Sequence, residues 1–541
     1  MQRRYERLTV WDWGAIATLI AIASVAAVTA ADYGVSNDEY VQQLYGEKLL
    51  KFYTSRFADW SAFQFKDLFY YGGLFDLTAT LLAAHLPFEL YETRHLLCAS
   101  IGIIGLGGVF MLGRFLAGPR AGCLALLLLA LTGPWYGGMF NHTKDIPFAV
   151  GMIWGVYFLC RIAAALPRPK LADTLLFGVS LGLSLGLRVG AVLLLAYLAL
   201  SVAAWLAMTM RAEGWRGRAM DIARIAAVMA PALVVAYGLM AVFWPWAVLD
   251  PLNPIRALAH FSSLDMGIQT ILDGEVVAVS KVPPQYLPIY LMIKLPIVLL
   301  VGLAAAGISF LMRLRGRRQD GPIAGRTRAI GVTATAALLP VVYFILVRPT
   351  AYDGIRHFLF VVPPLAVLAG AGLDRLLARA TLRGPVLATA AASAIALLVA
   401  VQASSLVLLH PNQYVDYNLF VGGPDGAEEL YVMDYWGNSV PEATDWLAEF
   451  IQKQYPGRPV PRTFKVFAVC AERLTFEEAA PSFLVWTGDR ERADFLIAPM
   501  HMHCADYVDR PPRGTLIHEV KRLGAVLSVV KDWRRHRGHS S

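Results

Sequence analysis

Charge is scarce in this chain. Asp, Glu, Lys and Arg together make up 16% of its 541 residues, whereas 57% are hydrophobic, and the mean hydropathy is +0.51. No soluble globule needs that much apolar surface, so the composition excludes one and indicates a multi-span membrane protein. There is no internal repeat and no low-complexity tract. No small-residue cleavage site follows the first apolar run, which MQRRYER precedes, so the run reads as an uncleaved signal-anchor. Of only five cysteines, Cys98, Cys123 and Cys160 fall in apolar runs and read as small core residues. Cys470 and Cys504 fall in the polar C-terminal part; if that part lies outside the cytoplasm, a disulfide between them is open.

The apolar runs predict about eleven spans, at roughly 20 residues per crossing: approximately 11–31, 94–113, 121–138, 147–165, 173–190, 191–210, 225–245, 291–312, 329–347, 358–377 and 385–406. The formal net charge of +8 sits mostly in short connections. Arg114 and Arg120, then Arg161, Arg168 and Lys170, and then Arg211, Arg216, Arg218 and Arg224 all fall on one side if the N-terminus starts inside. So do Arg313, Arg315, Arg317, Arg318, Arg326 and Arg328, and finally Arg375, Arg379 and Arg383. The positive-inside rule makes that side cytoplasmic, and nucleic acid is a poor explanation for the basic pI near 9.1. The stretch YYGGLFDLTATLLAAHLP (70–87) would invert the later parity if it spanned, so it reads as re-entrant or interfacial with Asp76 on its wet side. A tight outer turn at Arg188-Val189-Gly190 keeps that arginine out of mid-bilayer, where it is costly.

The outward side then collects 32–93, 139–146, 188–190, 246–290, 348–357 and everything from about 407 on. We divide the chain at 406: a membrane part, 1–406, with large outer loops 32–93 and 246–290, and a small extracytoplasmic α/β domain, 407–541. In that domain PEATDWLAEFIQKQY reads as an amphipathic helix, and FKVFAVC, SFLVWTG, ADFLIAP and GAVLSVV as strands.

Each outer loop carries polar residues that a passive connector would not need. Tyr33-Gly-Val-Ser-Asn-Asp-Glu-Tyr40 sets Asp38 and Glu39 at the membrane edge, ahead of an amphipathic helix that Asn37 or Ser36 could cap. Tyr40, Leu44 and Tyr45 share a face, which predicts a helix lying on the bilayer surface. The bland alternative is that the two carboxylates only favour the helix N-terminus. In Asn141-His-Thr-Lys-Asp-Ile-Pro147, Lys144 and Asp145 directly precede a span; helix capping is again the alternative. Ser280-Lys-Val-Pro-Pro-Gln-Tyr-Leu-Pro288 offers Lys281 as a cation and Tyr286, which an interfacial anchoring role would also explain. Tyr352-Asp-Gly-Ile-Arg-His357 puts Arg356 and His357 at the mouth of a span. Carboxylates with Arg, Lys and His at one depth suit a reaction whose leaving group is a phosphate carried on a lipid. A carboxylate takes the acceptor's proton, worth roughly 10²–10⁴ in rate, while cations stabilise the charge growing on the phosphate. His501-Met-His-Cys504 matches no zinc spacing closely and reads as a polar loop.

These residues resemble the GT-C glycosyltransferases of the protein O-mannosyltransferase and aminoarabinose-transferase type. The resemblance rests on Asp38-Glu39 after the first span, HTKDIPFA, VPPQYLP, GIRHFLFVVPPLAVLAG and HPNQYVDYNLFVGGPDGAEELYVMDYWGNSVPEATDWL, and covers most of the chain. It implies a polyprenyl-phosphate-linked sugar donor, inversion at the anomeric carbon, and a site facing the outer leaflet of a bacterial inner membrane. Asp38 would be the base, with Glu39 beside it and Asp145 helping to bind acceptor or metal. Lys144, Arg188, Lys281, Arg356 and His357 would contact the donor phosphate, and His142, Tyr286 and Tyr352 would line the substrate pocket. A divalent metal stays open, since some relatives use one and others do not. The acceptor is an envelope lipid, glycan or protein; with no MIR-type module inserted, protein is the less favoured. The rival from another class is a transporter or flippase of lipid-linked sugars, which would be expected to show repeat symmetry and ionisable residues at mid-membrane.

Overall fold

The computed structural model describes residues 8–262, 267–314, 323–510 and 514–534. MQRRYER and the basic residues Arg315, Arg317 and Arg318, expected in cytoplasmic connections, lie outside the described residues. The chain is predominantly helical, with a C-terminal sheet. Among the described residues eight helices are long and apolar enough to cross a membrane, ten if each of two bent pairs is one span. The shorter apolar helix Leu171–Leu185 occupies the remaining segment that the hydropathy pattern marks as a span.

From the N-terminus the elements are α1 (Val10–Thr29), α2 (Glu39–Thr54), α3 (Leu74–Ala83), α4 (Leu90–Ala117), α5 (Pro119–Ala130), α6 (Gly133–Asn141), α7 (Asp145–Ala165), α8 (Leu171–Leu185) and α9 (Val192–Phe243). The bends have local causes. Pro134 starts α6 in its first turn, and α5 and α6 meet at 66°. Pro296 forces Leu295 into extended backbone, so Tyr286–Lys294 and Ile297–Met312 meet at 114°. The helical stretch α9 contains two span-length segments, Val189–Thr209 and Arg218–Phe243. Both of its ends return to one place: Gly72 and Leu74 donate to the carbonyls of Leu187 and Gly186 before it, and Gly73 donates to that of Phe243 at its end.

Two expectations for the first outer loop are corrected. The stretch 70–87 forms the ten-residue α3, but Asp76 is buried and not on a wet side, because Arg94 donates to it at 3.2 Å. Helix α2 does not present Tyr40, Leu44 and Tyr45 as one face. Glu39, Gln42, Gln43, Tyr45, Leu49 and Phe52 are buried, whereas Tyr40 is 42% exposed. The buried face of α2 is half polar because it packs over α3 and Arg94, and apolar periodicity cannot register such a face.

Loop 246–290 carries a two-stranded antiparallel hairpin, β1 (Gln269–Leu272) and β2 (Glu275–Ala278). The C-terminal part folds as a five-stranded sheet in the order β4-β3-β5-β7-β6, comprising β3 (Phe464–Ala468), β4 (Leu484–Trp486), β5 (Phe495–Pro499), β6 (Thr515–Arg522) and β7 (Ala525–Asp532). The helix Val440–Gln452 covers it, burying Leu447 and Ile451 against Phe464, Val466, Ile497 and Val530. Four of the strands and the helix match the sequence pattern. The fifth strand, β6, reads TLIHEVKR, whose charges suit an edge strand and hide it from an apolar scan. Cys470 and Cys504 form a disulfide with Cα atoms 6.4 Å apart, joining the end of β3 to the turn after β5. Cys504 is therefore no thiolate for the HMHC stretch.

Candidate active site

The segments expected outside converge on one cavity of about 340 Å³. Loop 32–93 contributes Asp38, Gln42 and Tyr71; the α6–α7 turn contributes His142, Lys144 and Asp145; Arg188 comes from the α8–α9 turn, and His260 and Phe261 from loop 246–290. Tyr352 and Arg356 come from the fifth loop, and Trp436 from the tail. Basic connections meet at a separate place, where Arg114 pairs with Asp12 at 2.7 Å and Arg326 donates to the carbonyl of Leu116. Arg114 and Arg326 also share a shallow depression lined by Gly118, Ala164 and Gly325.

Arg356 is the hub. Its guanidinium, over the Trp436 ring at 4.2 Å, donates through NH2 to Asp38 Oδ2 (2.7 Å), through Nε to Asp145 Oδ2 (3.1 Å) and through NH1 to Asp353 Oδ2 (2.9 Å). Arg188 donates to the other oxygen of Asp145. A planar fork with five donors holds three separated carboxylates in fixed directions, whereas the three donors of an ammonium radiate from a single nitrogen. Asp145 is almost fully buried between two arginines, whereas the Asp38 side chain is 44% exposed. Of the two, Asp38 is the carboxylate open to the cavity. Burial pushes the Asp353 carboxyl up to about 6, against the pull of Arg356.

Behind this row lies a second one. Arg94, fully buried, donates to Gln43 Oε1 (3.0 Å) and Asp76 Oδ1 (3.2 Å), and its Nε lies 3.8 Å from Glu39. Glu39 also accepts from the Ser36 amide at 2.8 Å and faces His95 Nε2 at 3.3 Å. Lys144 Nζ lies 3.7 Å from Asp76 and 4.3 Å from the centre of the Tyr71 ring. Burial pulls the Lys144 ammonium down from its ordinary value, and Asp76 opposes that. Two buried donors that line the cavity, Lys144 Nζ and Arg188 Nε, have no hydrogen-bond partner.

His142 is held in place, not poised. Trp436 Nε1 donates to its Nε2, and burial drops its pKa to about 3, so the ring is neutral. Tyr352 lines the cavity, edge-on to His357 with ring centres 4.5 Å apart.

Four expected site residues are not on the cavity wall. Lys281 is exposed elsewhere, on the short 3₁₀ turn after β2. Tyr286 is neither pocket lining nor an interfacial anchor: it is fully buried, bonded to Thr270 Oγ1 and to the Gly354 amide, both at 3.0 Å, and so braces the turn that carries Asp353 and Arg356. Glu39 lies in the rear row, and His357 lies behind Tyr352. Sequence reasoning gave no role to Arg94, Tyr71, Asp353 or Trp436. Arg94 had a signal, an arginine written into the start of an apolar span. Trp436 stood inside the DYWG stretch without one.

Mg²⁺ and Ca²⁺ take six or more oxygen ligands with carboxylates among them, and Zn²⁺ takes four from His, Cys or carboxylate. The three carboxylates that could gather here instead surround the Arg356 guanidinium, so as arranged they do not fit a metal between them. No group of three or more His, Cys, Asp or Glu side chains placed to hold a metal occurs among the described residues.

No protein-family model matches the chain, and no curated protein matches it in sequence. Among solved structures it is similar to ArnT from Cupriavidus metallidurans bound to undecaprenyl phosphate, at 14% identity and a TM-score of 0.49 over 96% of this chain and 98% of that one. It is also similar to the oligosaccharyltransferase AglB from Archaeoglobus fulgidus in complex with an inhibitory peptide and a dolichol-phosphate, at 12% identity and a TM-score of 0.43, covering 91% of this chain and 70% of that one. A third is the mycobacterial arabinofuranosyltransferase AftD, at 13% identity and a TM-score of 0.43, over 96% of this chain and 41% of that one. At these scores the likenesses carry no argument about chemistry.

Proposed function

We propose that this chain is an inverting GT-C glycosyltransferase that moves a sugar from a polyprenyl-phosphate donor to an acceptor outside the cytoplasm, in a bacterial inner membrane. Residues 1–406 are its catalytic membrane part, and 407–541 its periplasmic domain. The observation that carries this is one cavity holding an accessible carboxylate, Asp38, together with two cationic donor atoms left without a hydrogen-bond partner, Lys144 Nζ and Arg188 Nε.

In the reaction the acceptor hydroxyl gives its proton to Asp38, and its oxygen attacks the anomeric carbon from the face opposite the phosphate. The anomeric C–O bond breaks with its electron pair passing to the phosphate oxygen, where Lys144 and Arg188 meet the growing charge. Arg356 and Trp436 hold Asp38 and the far wall. Neither row of charges calls for an ion or solute to cross the bilayer.

Asp38→Asn is expected to lower release of polyprenyl phosphate from a synthetic donor by about 10²-fold or more, while undecaprenyl phosphate still binds. Wild-type turnover in that variant removes the base assignment.

A further inference from the structure

Three of the hydrogen bonds that tie the first outer loop to the C-terminal part lie next to Asp38. The Val35 carbonyl accepts from Thr475 Oγ1 at 2.6 Å, Asn37 Oδ1 accepts from the Glu472 amide at 2.6 Å, and Asn37 Nδ2 donates to the Tyr435 carbonyl at 3.2 Å. Only one orientation of the Asn37 amide satisfies both of its partners, an N–H on one side and a carbonyl on the other. The next residue is Asp38, and the residue after Tyr435 is Trp436, which lies on the Arg356 guanidinium. One side chain therefore links the backbone beside the carboxylate to the backbone beside its cation's platform.

The partners of Asn37 come from two tail segments that are themselves locked together. Gly437 has φ +69°, and a Cβ there would come within 2.7 Å of Ala471 Cβ, so Gly437 lets the two strands of chain close on each other. Ala471 follows the disulfide-bonded Cys470. The Asp434 carboxylate is fully buried and accepts from the Asn438 and Ser439 amides, both at 3.0 Å, which fixes the turn carrying Trp436.

We propose that Asn37 is a positioning residue: it sets Asp38 against Arg356, and through it the C-terminal domain forms one wall of the reacting site. The kinetic consequence rests on the transferase reading, whereas the ordering of the loop does not. The bland alternative, a clamp that only holds two parts of the chain together, predicts lost stability with unchanged turnover in the folded fraction.

The test uses the full chain in lipid nanodiscs with a synthetic undecaprenyl-phosphate monosaccharide and, separately, undecaprenyl phosphate alone. Asn37→Ala is expected to lower kcat about 10- to 100-fold, the scale of a misplaced reacting group. The donor KM and the Kd for undecaprenyl phosphate should stay within about twofold, since Lys144 and Arg188 are untouched. Asn37→Asp keeps the contact to the Glu472 amide and loses the one to Tyr435, so its kcat should fall between. Hydrogen exchange of the amides of residues 34–40, read without substrate, should quicken at least tenfold in Asn37→Ala. A kcat within twofold of wild type, or unchanged exchange, overturns the proposal. Turnover that survives Asp38→Asn overturns the base assignment instead, and amide exchange still decides the role of Asn37.

Discussion

Replacing Arg356 tests the hub directly. Its three carboxylate partners differ in burial: Asp145 and Asp353 side chains are 5% and 13% exposed, Asp38 44%. The contact to Asp38 is screened by water and adds little to stability. Breaking the buried pairs is the costly part, about 3–5 kcal/mol. The cost falls towards the lower end because Asp145 keeps Arg188 and because Asp353, already raised to about 6, takes a proton once the cation that lowers it is gone. At about 2.1 cal/mol/K per residue of unfolding entropy, a chain of 541 residues loses ~1 °C of Tm per kcal/mol. Arg356→Ala should therefore unfold ~3 °C lower and still be recoverable in detergent. Arg356→Lys separates charge from shape. It keeps the positive charge and most of the stability, but its three donors radiate from one nitrogen and do not reproduce the planar spread of the guanidinium, so Asp38 loses its orientation. We expect kcat to fall about 10²-fold in Arg356→Lys, with Tm within ~1 °C of wild type. The assay is release of undecaprenyl phosphate, beside a thermal melt of the same sample. A lysine variant turning over within twofold of wild type would refute the claim that the guanidinium geometry positions the base.

Two further outcomes follow from the same site. Arg188→Ala and Lys144→Met should each raise the donor KM about tenfold, as expected for removing a charged hydrogen bond of roughly 1.5 kcal/mol or more, and an unaltered KM in both would contradict their role at the phosphate. The pH dependence of stability should respond in opposite directions at two groups. His142 binds its proton at about 6.5 when unfolded and about 3 when folded, so the unfolded state holds more protons in that window and stability falls on acidification; His142→Gln should flatten the fall. Asp353 is raised from 3.8 to about 6, so its contribution is present at low pH and is lost as pH rises through 6; Asp353→Asn should steepen the acid fall in Tm between pH 7 and 4. Parallel melting curves for the two variants would show that neither titration is linked to folding.

The sequence pattern located the spans well because a bilayer imposes one length and one composition on every crossing. The bends at Pro134 and Pro296 were local signals too, though their angles, 66° and 114°, were not. The site was legible as a set of loops, since the residues lining the cavity come from the segments that charge parity places on one side. Within each loop the assignment failed where neighbours in sequence face opposite ways. Asp38 and Glu39 differ in side-chain exposure by 44% to 0%, because one precedes the first turn of α2 and the other sits inside it, towards Arg94. Arg356 and His357 part in the same manner. Tyr286 was misjudged because an aromatic at a predicted interface looks the same whether it anchors in lipid or braces a turn. Asn37 reads in the sequence as a helix cap, but α2 has no side-chain cap and the partners of Asn37 lie about 400 positions away in the chain.

The charge count of the site bears on how it can hold a phosphate. The front row has Asp38, Asp145 and Asp353 against Arg356 and Arg188, and the rear row balances Glu39 and Asp76 with Arg94 and Lys144. With Asp353 near its titration point, the whole is close to neutral at mildly acidic pH and no more than about one charge negative above it. A net positive field is therefore not what draws an anion in. Recognition has to come from directed donors, and among the described residues Lys144 Nζ and Arg188 Nε are the buried cavity-lining cationic atoms left without a hydrogen bond. A donor phosphodiester brings one negative charge, whereas the released phosphomonoester approaches two. The charge that grows on the phosphate as the sugar leaves is therefore met by these two directed donors and not by a surplus of positive charge in the site.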